Sequence, residues 1–133
     1  MPYPDLRAEA AIKRLRHLVG AIRVESPIEA KFYPWLVAWV ERQGCYVRSQ
    51  YRLDRFRYDF AIFAPGGDLI ALVECDGKAS HKKRRARKRD TEKNNKARAI
   101  HCPLFRFTGS QIWNDPEGCA VSMGDRTKWS WRA

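Results

Sequence analysis

The chain has 133 residues, 44% of them hydrophobic, and its 26 Lys and Arg outnumber 15 Asp and Glu for a formal net charge of +11. That length and apolar content fit one folded domain over 1–133 and argue against a disordered tail. No apolar run approaches the ~20 residues of a membrane helix, and so basic a domain draws polyanions, nucleic acid foremost.

The N-terminus, MPYPDLRAEAAIKRLR, is charged and lacks an apolar stretch, so no secretory signal is expected and the expected location is cytoplasmic. Residues 5–20 read as a helix with Ala8, Ala11, Ile12, Leu15, Leu18 and Val19 at helical spacing and Gly20 as its stop. A second helix starts at Ser26-Pro27, with Ser26 as N-cap, Pro27 in the first turn and Glu29 completing a capping box. It runs to about Gln43, burying Ile28, Phe32, Trp35, Leu36 and Trp39, with Pro34 expected to kink it. Tyr46–Leu53 reads as a strand, Asp54-Arg55 as a turn, and 56–64 as a strand with Tyr58, Phe60 and Ile62 on one face. Pro65-Gly66-Gly67-Asp68 is a hairpin turn into Leu69–Asp76, apolar until its end as a central strand should be. From Lys78 to Arg98 there are eleven Lys or Arg against two acids, with a helix expected over 84–99. Leu104–Thr108 is a last strand, Gly109 starts a short helix, and 118–133 reads as a tail. The order α-α-β-β-β-α-β-α predicts an α/β domain with a mixed four-stranded sheet flanked by helices, its core over about 25–117.

Cys45, Cys75, Cys102 and Cys119 form no CxxC pair, so free thiols are expected. A zinc site from Cys75, His81, His101 and Cys102 would match no common ligand spacing.

Three acids stand where apolar residues are expected. Glu74 and Asp76 close an apolar strand and, at period two, share a face. Asp59 interrupts Tyr58-Asp59-Phe60-Ala61-Ile62-Phe63 on the strand before it. If Ala64 pairs with Leu69 across the turn, Asp59 falls opposite Glu74. Like charges at the end of a buried strand cost desolvation and repulsion, so a cation should compensate. Asp59, Glu74 and Asp76 together would suit Mg2+, or Mn2+, with waters left for a phosphate. The bland alternative is that each acid pairs with an Arg such as Arg57 or Arg106.

The strings Glu25-Ser26-Pro27-Ile28-Glu29, Arg57-Tyr58-Asp59-Phe60-Ala61 and Val73-Glu74-Cys75-Asp76-Gly77-Lys78, with His81 close behind, resemble a known group. They are similar to the small endonuclease-domain proteins related to the very-short-patch mismatch-repair endonuclease, in the PD-(D/E)xK superfamily. Phe105-Arg106-Phe107-Thr108-Gly109-Ser110-Gln111-Ile112-Trp113 resembles that group's closing strand and helix. The likeness covers about 25–117 and implies a restriction-endonuclease-like core that hydrolyses DNA phosphodiesters. On it Glu29 matches the first-helix acid, Asp59 the central metal-bridging acid, and Glu74 the acid of the third motif. Asp76 fits the relatives' E-x-D-G string, while Asp76-Gly77-Lys78 offers a second register as D-x-K. Gln111 departs from the Glu that relatives often carry.

The mechanism so implied has a metal on Asp59, Glu74 and Asp76 activating water and polarising the phosphate. Lys78 or His81 would orient the water or protonate the leaving oxygen, and Glu29 would reach the metal through water unless it only caps its helix. Lys82, Lys83, Arg84, Arg85, Arg87, Lys88, Arg89 and Lys93 are expected to grip phosphates without reading sequence. Asp90 and Lys93 are spaced for a surface ion pair. DNA is the expected partner, with RNA and a homodimer left open, and a domain this short would suit a phage or mobile element. The competing readings are a non-catalytic nucleic-acid-binding protein that keeps the fold, and a basic inhibitor of another enzyme.

Overall fold

The computed structural model describes residues 6–18, 24–76 and 84–129. The expected site residues Lys78, His81, Lys82 and Lys83 lie outside these. Helix α1 (Leu6–Leu18) buries Leu6 and Ala10, whereas Ala8, Ala11 and Ile12 of the expected stripe face solvent, Ile12 at 61% exposure. Polar contacts set that rotation: Glu9 accepts a two-pronged contact from Arg42, and Lys13 reaches Glu41 at 2.9 Å. Helix α2 (Pro27–Arg42) starts at extended Ser26, whose hydroxyl accepts the Glu29 N–H at 3.2 Å. It continues through Pro34 and ends at Gln43, beyond which Gly44 takes φ 76°. Its buried face is wider than one stripe: Phe32, Tyr33, Leu36, Val37, Ala38, Trp39 and Val40 are all buried, Ile28 and Trp35 half-buried. The helix is enclosed by α1, the sheet and a C-terminal helix, and each large side chain so covered contributes about 1.5–3 kcal/mol.

Strands β1 (Tyr46–Leu53), β2 (Phe56–Phe63), β3 (Leu69–Asp76) and β4 (Leu104–Thr108) lie in that order in one sheet. β1–β2 and β2–β3 are antiparallel hairpins; β3–β4 is parallel, joined through helix α3 (Arg84–Ala99). This is the mixed α/β architecture the resemblance implies. One sheet face packs Phe60, Ile62, Val73 and Phe107 on α2. The other packs Tyr58, Ala61, Phe63 and Leu72 with Ala97 of α3. Tyr58 therefore does not share a face with Phe60 and Ile62, as strict alternation would have it. The switch falls at Asp59 and its neighbour Gln50, which takes φ 51° inside β1.

The short helix expected at Gly109 is α4 (Gly109–Asn114), and the stretch read as a tail is ordered into most of α5 (Pro116–Ser122) and into α6 (Arg126–Trp129). Asp115 caps α5 by accepting the Gly118 N–H at 2.9 Å, and Pro116 takes its first turn. Ala120, Met123 and Trp129 enter the main core, and Trp39 Nε1 donates to Gly124 O at 2.9 Å.

Candidate functional site

β2 and β3 pair from Phe63↔Leu69 to Phe60↔Val73, with a bulge between Ile62 and Phe63 that shifts the register by one. Phe63, not Ala64, therefore meets Leu69, yet the shift restores the alignment that sets Asp59 opposite Glu74. Beyond Phe60↔Val73 side chains take over the pairing. The Cys75 N–H donates to Asp59 Oδ2 at 2.7 Å, and the Asp59 N–H donates to Glu74 Oε2 at 3.3 Å. Two carboxylates thus fill a gap in a buried sheet, with Glu74 only 5% exposed. Burial is the main cause that pushes the Asp59 carboxyl up to about 8; its hydrogen bond with Glu74 and Glu74's charge add to this, against the Cys75 N–H.

The compensating cation comes from α3. Lys93 Nζ donates to Glu74 Oε1 and, at 2.6 Å, to Arg57 O, and it lies 5.1 Å from the centre of the Tyr58 ring. Lys93 was expected on the phosphate-gripping surface and in a pair with Asp90. The structure turns it inward because it lies one helical turn before Ala97, the buried anchor of α3. Asp90 faces Arg106 instead, at 3.7 Å. That spacing from Ala97 was the signal available in the sequence, masked by the surrounding run of basic residues. Asp76 shares the sheet face of Glu74 but meets the Arg106 guanidinium at 3.2 Å. Glu29, 4% exposed, accepts from Gln50 Nε2 at 2.6 Å, from Ser26 Oγ at 3.2 Å and from the Glu25 N–H at 3.3 Å. Its carboxyl is raised by burial first, against the hydrogen bonds from Glu25 and Ser26. Gln50 was not expected here; its left-handed backbone in mid-strand is visible only in three dimensions. Gln111 completes a capping box with Thr108, which accounts for it structurally. Arg84, Arg85, Arg87, Lys88 and Arg89 are all exposed.

The family model described as REase_MTES_1575, a restriction-endonuclease-like family, matches residues 32–125, more than two-thirds of the chain. The chain belongs to this family. No curated protein and no solved structure matches it. The span matched to REase_MTES_1575 takes in Asp59, Glu74, Asp76 and α3 but leaves out Glu29 and α1.

Membership marks the domain as nuclease-like. Among the described residues, no group of three or more His, Cys, Asp or Glu side chains converges as a metal cage. The donors that do meet, Asp59 and Glu74, still fit a hard divalent ion, because Mg2+ needs only one or two carboxylates and fills its shell with water and substrate phosphate. Asp76 could join them only by releasing Arg106. All four cysteines are free, as expected. Burial pushes the Cys102 thiol up to about 12 and raises Cys75 further, with nearby carboxylates adding to the latter. No helix of the described residues is long and apolar enough to cross a membrane.

Proposed function

We propose that this chain is a metal-dependent endonuclease that hydrolyses DNA phosphodiester bonds. The observation that carries the reading is the Asp59–Glu74 pair, held in a gap of a nuclease-family sheet beside a cationic helix. Asp59 and Glu74 would hold Mg2+ or Mn2+, which when bound supplies Lewis acidity toward the phosphate and a more acidic water. Asp59 contributes a carboxylate fixed by the Cys75 N–H, so its orientation is set before substrate arrives. Lys93 brings a positive charge against Glu74, where it offsets the repulsion between the acid pair and an incoming phosphate. Asp76, on the same face, orients Arg106 or, once released, adds a third carboxylate. Glu29, through Gln50 and its helix cap, braces the neighbouring strand. Lys78 and His81 remain the proposed proton-transfer partners, and closer kinship to the very-short-patch nucleases rests on the motifs of 25–117.

A second reading, a nucleic-acid-binding protein without catalysis, is favoured by one observation: Glu74 and Asp76 are each paired with a cation. A plasmid-cleavage assay with Mg2+, Mn2+ or EDTA separates the two. The nuclease reading expects wild type to cut with metal only, and Asp59→Asn and Glu74→Gln to lose at least ~100-fold in rate, as removal of an electrostatic stabiliser does. Equal cutting by all three proteins would refute the assignment, and tight binding without cutting by wild type would favour the second reading.

A further inference from the structure

A solvent-open groove of about 640 Å³ lies between the β1–β2 hairpin and α3. Arg52, Arg55 and Arg57 form its hairpin wall, and Arg85, Lys88 and Arg89 its helix wall. Lys93 lines this groove and also holds Glu74, so one side chain links the groove to the acid pair. Its lining holds seven cationic side chains against one acid, Glu92. Among the described residues no ion pair engages Arg52, Arg85, Lys88 or Arg89, and the Arg55–Glu92 pair is exposed and easily exchanged for a phosphate. The walls are bridged by Lys96 on Asp54 and Lys93 on Arg57 O. Half-buried Phe56 also lines the groove, with the Arg55 guanidinium 4.8 Å from its ring centre.

We infer that this groove is the binding track for one unpaired nucleic-acid strand, whose phosphates lie between the hairpin and helix guanidinium groups and one of whose bases stacks on Phe56 and Arg55. The hairpin arginines thereby become binding residues alongside the basic helix. Cations on both walls match the repeating charge of a phosphodiester chain. An aromatic ring capped by a guanidinium offers a stacking surface that unpaired bases can use and paired bases, already stacked, cannot. The inference rests on the nuclease reading for its direction, since a strand followed inward along the groove brings a phosphate to Lys93 and the acid pair.

The test is fluorescence anisotropy with a labelled single-stranded oligonucleotide in EDTA, over a salt series. Each phosphate contact on a single strand contributes a slope of about −0.7 in log affinity against log salt. The double variant Arg52→Ala/Arg85→Ala, one from each wall, should therefore lose about 1.4 from the slope. Arg98→Ala/Arg126→Ala removes the same charge outside the groove and should leave the slope near wild type. Phe56→Ala should weaken single-strand binding by roughly tenfold without changing the slope. Equal slopes for wild type and the groove double variant would overturn the inference, as would a defect seen with duplex alone. Circular dichroism of each variant checks that it folds. The two readings fail separately: if Asp59→Asn cut like wild type the nuclease reading would fail while the groove stood, and if the groove double variant kept the wild-type slope the groove would fail while the nuclease reading stood.

Discussion

Replacing Asp59 by Asn should stabilise the metal-free protein at high pH even as it removes cutting. Asn keeps an oxygen to accept the Cys75 N–H and gains an amide that can donate to Glu74, where a second carboxyl now stands. Moving an acid from its ordinary 3.8 to about 8 corresponds to a ceiling of roughly 6 kcal/mol at ~1.4 kcal/mol per decade. Asp59 is only partly sealed from water, and screening reduces the effect to about 1–3 kcal/mol. The sign follows from proton linkage. A carboxyl whose folded value is raised binds its proton more tightly in the folded chain, so its stabilisation is complete below the ordinary value and drains as pH climbs through about 8. Asn has no proton to lose. Urea unfolding in EDTA should give nearly equal stabilities for the two proteins at about pH 4 and a gap of about 1–3 kcal/mol in favour of Asn at about pH 9. A gap that does not change with pH, or one in favour of Asp at high pH, would refute the buried acid pair.

Added Mg2+ should reverse that order: at about pH 8, wild type gains roughly 2–3 kcal/mol at a hundredfold excess over its Kd while Asp59→Asn gains little, read as melting temperature against metal concentration. Lys93→Met strands Glu74 beside Asp59 and should cost about 3–5 kcal/mol in denaturant unfolding, most of it restored by adding Glu74→Gln, because removing one partner of a buried pair costs far more than removing both. Trp129→Ala empties a fully buried site and should cost about 3–5 kcal/mol, whereas a C-terminal segment outside the core would lose almost nothing. Cys102, buried and with its thiol pushed up to about 12, should resist a disulfide reagent at about pH 8 until the chain is unfolded, as followed by mass spectrometry of the labelled sites.

Much of this architecture was written in local signals. Ser26-Pro27, the Pro65–Asp68 turn and the apolar run of β3 each fix a boundary through short-range chemistry, so the elements from α2 to β4 match the expected spans closely. Asp59 and Glu74 could be placed together because hairpin register is a matter of counting, and the bulge happened to preserve the count. Partner choice was not legible. That Lys93 turns inward, that Asp76 goes to Arg106, and that Gln50 reaches Glu29 all depend on how a crossover helix and a kinked strand pack. Nor could composition show that residues after Asp115 fill the core, since the large side chains at Met123 and Trp129 are far apart in sequence from Trp39 beside them. The amino-acid order by itself determined which elements form, their sequence along the chain and the presence of acids in an apolar ribbon, because those follow from propensity, capping and period. Only the tertiary structure decided which cation answers each acid, because long side chains meet across elements distant in sequence and the desolvation that makes their pairing matter exists only once the chain has closed around them.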